Sequence, residues 1–320
     1  MRLLLLLCAV LCWPWTAGAQ NDFTTWLKDF RAEAQASGIS ATSLQQLDGL
    51  QFDAKVLRLD KSQPEHKITF AQYRKNVVSL ARIRDGKRYQ IAHATALRQA
   101  SKAHGVPGAV ILALWGVETS YGTLKGRNDV LRSVATLAYD GRRADYFRKE
   151  LLAALKILDS HQTPEGRLLG SWAGAMGQCQ FMPSTFLQYA VDGDGDGVKD
   201  IWDNKRDAFA SIANYLKYEG WKPGQGWGEK VTLRRVVAAD YVGVKQTGRP
   251  LPVWNKLGVE ARPGSKLAGE KDRLYYLVQP DGAEGPSYLV TENYQALMRW
   301  NRSTYFATAV GLLADAIAQP

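Results

Sequence analysis

Apolar positions recur every three to four residues through most of the first 220 residues, the spacing of amphipathic helices. Phe23, Trp26, Leu27 and Phe30 form one stripe of a helix expected over 23–36, and a shorter helix is expected over 43–47. Residues 54–68 are charged, contain Pro64 and read as a connector. Helical spacing resumes over 69–83 and again over 87–104, where Gly105 supplies a stop. Val106-Pro107-Gly108 then opens a strongly apolar helix, 109–117, that ends at Glu118. Further helices are expected over 129–139, 143–159, 183–190 (with Pro183 in its first turn) and 208–219, halted by Gly220. Residues 164–182 are Gly-rich and irregular. After Gly228 the period shortens: 230–238, 274–279 and 288–290 are β-rich runs, punctuated by Arg249-Pro250-Leu251-Pro252 and Pro280-Asp281-Gly282. An apolar helix over 304–317 closes the chain. The pattern predicts a mainly α protein with a small β insertion around 229–290 and no internal repeat.

Composition changes this picture in three ways. At roughly 150 residues per domain, 320 residues suggest about two domains. Three cysteines cannot build a framework of several disulfides, and the histidines at 66, 93, 104 and 161 match no HExxH or Cys/His zinc spacing. The third change comes at the N-terminus. Arg2, the apolar run Leu3 to Leu11 and the small residues Ala17-Gly18-Ala19 before Gln20 read as a cleaved secretory signal, the alternative being an uncleaved anchor. A membrane span needs about 20 apolar residues, twice this run. Neither Cys8 nor Cys12 follows a small residue, which argues against a lipoprotein signal. Cleavage leaves 40 basic against 31 acidic residues, a charge of +9 in place of +10, and one thiol, Cys179. An exported chain without bridges is long enough to fold on its core alone.

Three segments carry candidate chemistry. Glu118 ends the apolar run Ile111–Val117, where an ionised carboxylate is costly, so its pKa should rise toward that of a general acid for glycosidic cleavage. Trp115 and Tyr121 could wall such a site; the bland alternative is a solvent-facing Glu paired with Arg127. The stretch from Gly170 to Ser184 mixes small residues, which let backbone approach a ligand, with the neutral hydrogen-bonding groups Ser171, Gln178 and Gln180. A tight structural loop is the competing reading, and Cys179 reads as a packed thiol. From Asp192 to Asp203, Asp stands at positions 1, 3, 5, 9 and 12 and Gly at 6, the twelve-residue calcium-loop pattern. Asp192, Asp194 and Asp196, the Val198 carbonyl and Asp203 would ring a structural ion; the alternative is a solvated acidic turn. Weaker features are Arg142-Arg143, a candidate anion contact or a solvated helix start, and the Trp-containing loops 221–227 and 300–303.

Taken together, the chain resembles the lytic murein transglycosylase B family of the lysozyme-like superfamily. The matching motifs are Gly116-Val117-Glu118-Thr119-x-Tyr121-Gly122, Arg142-Arg143-x-x-Tyr146-Phe147, Ser171-x-Ala173-Gly174-Ala175-Met176-Gly177, Gln180-Phe181-Met182-Pro183-Ser184, Ala213-Asn214-Tyr215, the calcium loop and Asn301-x-Ser303-Thr304-Tyr305. They occur in the family's order over nearly the whole mature chain. The resemblance implies cleavage of the β-1,4 bond between N-acetylmuramic acid and N-acetylglucosamine in peptidoglycan, leaving a 1,6-anhydromuramic end. Glu118 would act as acid and then base, without a second carboxylate. Ser171, Gln180, Tyr215 and Asn301 would position the sugar, Met176 would line the cleft, and Tyr121, Arg142 and Arg143 would complete the substrate contacts. No cofactor is implied for catalysis.

The expected fold is a lysozyme-like helical core with an accessory α domain and a small β domain. The domain plan is a signal peptide, 1–19; an N-terminal α domain, 20–105, joined by the C-terminal helix 303–320; a catalytic core, 106–228, holding the calcium loop 192–203; a β domain, 229–290; and a segment, 291–320, returning to the core. This chain departs from the family in having Trp300 where Tyr is expected before the Asn, Gln178 and Cys179 where neither is required, and no lipid-anchoring Cys. A soluble periplasmic protein with glycan strands as partner, neither nucleic acid nor stable membrane insertion, is the expectation. Protein partners are not legible. A hydrolytic muramidase, with an Asp activating water, and a non-catalytic glycan-binding protein are the rival readings.

Overall fold

In a computed structural model of the chain, the described residues are 15–319 apart from 63–67, 162, 164–167, 266 and 268–271. The first fourteen residues, most of the expected signal peptide, and Pro64 lie outside them.

Helix α1 (Trp15–Ala36) buries the expected stripe: the Phe23 ring meets Phe52, and Tyr139 edge-on at 5.4 Å. Tyr139 belongs to α8 (Val130–Asp140), which packs against α9 (Ala144–Asp159). Between α1 and α8 run the short α2 (Ala41–Leu44), α3 (Ala54–Lys61), α4 (Phe70–Val77), α5 (Leu80–Ala92), α6 (Ala94–His104) and the central α7 (Gly108–Thr119). Nine of the twelve α7 residues are buried, and the helix touches α5, α6, α11 (Lys205–Tyr218) and α14 (Thr304–Ala318). The short α10 (Pro183–Tyr189) starts at Pro183, as expected, and the buried Glu150 of α9 caps it by accepting from the Ser184 N–H at 2.8 Å and hydroxyl at 2.7 Å. The C-terminal α14 also packs on α4 and α5, so the end of the chain clamps its first third to the core.

The β-rich region forms an antiparallel sheet. Its strands are β3 (Gly228–Leu233), β4 (Arg249–Pro250), β5 (Val259–Glu260), β6 (Leu274–Val278) and β7 (Ser287–Val290), in the order β4-β6-β7-β3-β5. Side-chain alternation splits its two faces. Tyr275, Leu277 and Leu289 join Trp254 of α12 (Leu251–Lys256) in a small separate core, while Val278, Tyr288 and Val290 join the helical core beside Trp227. A second, two-stranded pairing, β1 (Asn128–Asp129) with β2 (Leu169–Gly170), edges the cleft described below.

Several expectations need correction. Residues 54–61 are helix rather than connector, because the Asp53 carboxylate accepts from Lys55 N–H at 2.9 Å and caps a turn that the charge pattern hid. The helix expected over 69–83 breaks at Val78–Ser79, where the Ser79 hydroxyl caps α5, and the one expected over 87–104 is interrupted at His93. Strand β3 stops at Leu233 rather than 238. Helix α13 (Glu292–Trp300) follows β7 directly, with Thr291 alone as its cap, and the sequence pattern did not resolve it.

Candidate active site

Glu118 sits in the last turn of α7, where burial against the core pushes its carboxyl from the ordinary 4.5 up to about 7. The indole N–H of Trp300, at the end of α13, donates to Glu118 Oε1 at 2.7 Å and opposes part of that rise. Among the described residues Glu118 forms no ion pair, so the alternative pairing with Arg127 does not occur, and no neighbouring carboxylate contributes to the shift. Past Glu118 the chain reverses through Ser120, Tyr121 and Gly122, all at positive φ.

The segment leaving this turn, residues 123–127, forms one wall of a cleft of about 1100 Å³. Leu169, Ser171, Gln180, Trp202 and Asp203 complete the lining. The walls meet closely at Gly126, whose φ is +82° and where a Cβ would fall 2.2 Å from the Gly170 carbonyl, so only glycine fits. Ser171 Oγ accepts from the Ala173 and Ala175 N–H groups, and Gln180 Nε2 donates to the Gly177 carbonyl at 2.9 Å and the Lys125 carbonyl at 3.2 Å. These two predicted sugar contacts therefore share one cleft in fixed orientations. Tyr215 and Asn301 gather on the Trp300 side instead: Tyr215 meets the Trp300 ring edge-on at 4.8 Å, and Asn301 is exposed next to it.

Four predicted substrate contacts are engaged elsewhere. Tyr121 is buried and its hydroxyl donates to the Arg82 carbonyl at 2.7 Å, tying α7 to α5. Trp115 is likewise core, not cleft wall: its indole donates to Gln178 Oε1 at 2.9 Å. Met176 is fully buried, paired in isolated bridges with Gly170 and Phe181. Arg142 and Arg143 both hold the buried Asp60 of α3, at 2.9 and 2.7 Å, so a carboxylate of the chain itself occupies them.

In the acidic loop, carboxylate oxygens of Asp192, Asp194 and Asp196 converge within 4.8 Å of one another. The Val198 N–H donates to Asp196. Asp203 does not join them; its carboxylate reaches back to Lys125 Nζ at 2.5 Å, in the cleft wall. Aspartate is one methylene shorter than the Glu usual at the twelfth position, and here the lysine captures it. Beneath the loop lies Asp207, fully buried, which accepts from the Gly193 and Asp200 N–H groups at 2.8 and 2.7 Å. Burial first, then Asp194 and Asp192, push its carboxyl up to about 6 against those two bonds. The oxygen-only donor set suits a hard divalent cation.

Residues 22–315 match the transglycosylase SLT domain family. The chain belongs to that family. Membrane-bound lytic murein transglycosylase B of Escherichia coli K12 is 33% identical over 257 residues, covering 77% of this chain and 67% of that protein. Pseudomonas aeruginosa SltB3, solved in complex with NAG-anhNAM-pentapeptide, is 40% identical with a TM-score of 0.86, over 92% of this chain and 79% of that one. The Escherichia coli lytic transglycosylase Slt35, solved in complex with calcium, is 31% identical with a TM-score of 0.75, over 91% and 92% of the two chains. The fold is accordingly of the lysozyme-like superfamily.

Within this SLT domain, the sequence singled out Gln178 without its structural role and missed Asp207 and Asp60, and all three hold the site together. Gln178 is buried and bridges α7 to the acidic loop, accepting from Trp115 and donating to the Trp202 carbonyl at 3.0 Å. Asp207 lies outside the twelve-residue loop window, and Asp60 stands in the segment read as a connector. Each could have been suspected only from its pairing across the fold.

Proposed function

We propose that Glu118 is the single acid and then base of a non-hydrolytic cleavage of the MurNAc–GlcNAc bond. Family membership makes the chain a peptidoglycan lytic transglycosylase. The observation that carries the role of Glu118 is its carboxyl, raised to about 7 by burial, with no second carboxylate among the described residues acting on it. A group titrating there is protonated often enough to give a proton and basic enough to take one back. In the first step the glycosidic oxygen takes the Glu118 proton and the C1–O bond breaks, with the substrate N-acetyl group stabilising the cationic carbon. In the second, the Glu118 carboxylate removes the proton of the muramoyl C6 hydroxyl, and O6 closes on C1. No water enters, and Glu118 ends protonated as it began. Ser171 and Gln180 orient the sugar in the cleft, and Tyr215 and Asn301 do so on the Trp300 side.

Mass spectrometry of muropeptides released from sacculi tests this. Wild type should yield anhydro ends and Glu118→Gln none; products heavier by one water would favour the hydrolytic rival.

A calcium ion held by the Asp192, Asp194 and Asp196 carboxylates and the Val198 carbonyl fits the loop, and a related enzyme was solved with calcium. Bound there, it would neutralise three converging carboxylates and brace the loop without entering the chemistry. The protein works in the periplasm after loss of residues 1–19, and no helix among the described residues is long and apolar enough to cross a membrane. N-terminal sequencing of the exported protein should begin at Gln20; retention of Arg2 would overturn the cleavage.

A further inference from the structure

We propose that Trp300 is a positioning residue for the reaction assigned to Glu118: its indole N–H holds Oε1 and thereby leaves Oε2 to carry the transferred proton. This rests on the acid–base role of Glu118 and adds to it. An indole N–H is a donor only and does not titrate in the working range. It can bond the carboxylate or the carbonyl oxygen of the acid, and a protonated oxygen is the poorer acceptor. With Oε1 engaged at 2.7 Å, the hydroxyl of the acid form therefore falls on Oε2.

The indole is itself held in place. Phe181 and Tyr215 pack on its ring at 5.4 and 4.8 Å. The neighbouring Arg299 donates to the Glu219 carbonyl at 2.6 Å, fixing the end of α13 to the end of α11. The donor thus reaches Glu118 already oriented, across 182 residues of chain. Among the described residues, the titratable groups around Glu118 leave that role to the indole. Tyr73 from α4 and Cys179 from the segment after β2 both sense Glu118, and burial raises both, so each stays neutral around pH 7. Arg82 of α5 faces Tyr73 and Tyr121, burial raises Tyr215 on α11, and Tyr305 on α14 is engaged by Asp281.

The first proton transfer needs the acid form, so kcat/KM falls as pH rises through the Glu118 pKa. Removing a donor that favours the carboxylate raises that pKa and moves the falling limb upward. The test compares Trp300→Phe with the same chain carrying benzothienylalanine at position 300, which keeps the indole shape and replaces N–H by sulfur. Both should lower kcat about tenfold, the scale of one hydrogen bond to an ionisable group, with KM within about twofold. Both should move the alkaline limb up by about one pH unit. Carbon-13 titration of the Glu118 carboxyl should show the same upward shift. An unchanged kcat and limb in the benzothienylalanine protein overturns the proposal, even if Trp300→Phe fails to fold. Glu118→Gln in the same assay separates the two readings: if it keeps forming anhydro product, the role of Glu118 itself fails.

Discussion

A carboxyl that gives up a proton and then takes one back works best with a pKa near the working pH. In this chain that tuning comes from burial rather than from a like charge, because Glu118 is desolvated at the end of a helix that is apolar all round. The same tuning costs stability. Unfolded, the carboxyl titrates near 4.5; folded, near 7, so the folded state binds the extra proton between those values. Its contribution is full below the lower value and is lost as pH rises through the upper one. Glu118→Gln should therefore match wild type in urea stability at about pH 4 and exceed it at about pH 8, by on the order of 3 kcal/mol. An equal difference at both pH values would contradict the burial of the charge.

At the scale of elements, Gly311 shows local preference and packing opposed. It lies inside α14, where replacing Gly by Ala ordinarily gains about 1 kcal/mol. A Cβ there would sit 2.3 Å from the Trp227 ring, which is buried and anchored by its N–H to Asp315 at 2.9 Å. A rigid indole cannot give way cheaply, and overpacking of this kind costs about 1–3 kcal/mol. Gly311→Ala should thus be net destabilising, seen as a lower denaturation midpoint; a gain in stability would mean that α14 can shift away from the Trp227 ring. Helix boundaries follow the same logic. Asp53 and Ser79 set them through single side-chain caps, which hydrophobic spacing does not register.

Across the whole molecule, the cleft and the acidic loop form one mechanical unit. Lys125 lines the cleft and holds Asp203 and the Trp202 carbonyl, Gln178 joins that carbonyl to α7, and Asp207 pins the loop from below. Ion binding to the loop should stiffen the fold as a whole. Starting from verified calcium-loaded protein, chelation should lower Tm, and an ion present at 100 times its Kd is worth about 2.7 kcal/mol. The combined variant Asp194→Asn, Asp196→Asn should lose that response. No shift on chelation would argue against a stabilising ion.

By itself the sequence determined the α and β regions, the apolar helix ending in Glu118, the Gly-rich cleft segment and the acidic loop, since each is written in short-range spacing. It also carried the family motifs that residues 22–315 bear out. It could not tell cleft from core or from surface ion pair: Ser171 and Gln180 line the cleft, whereas Tyr121 and Met176, equally prominent as motifs, are buried, and the exposed Arg142 and Arg143 hold the buried Asp60. Nor could it pair Glu118 with Trp300, which becomes its neighbour only when α13 and α14 return to the core. Local pattern records which residues prefer water; which polar group meets which is decided by tertiary packing, because a hydrogen bond acts over about 3 Å and carries no mark of sequence distance.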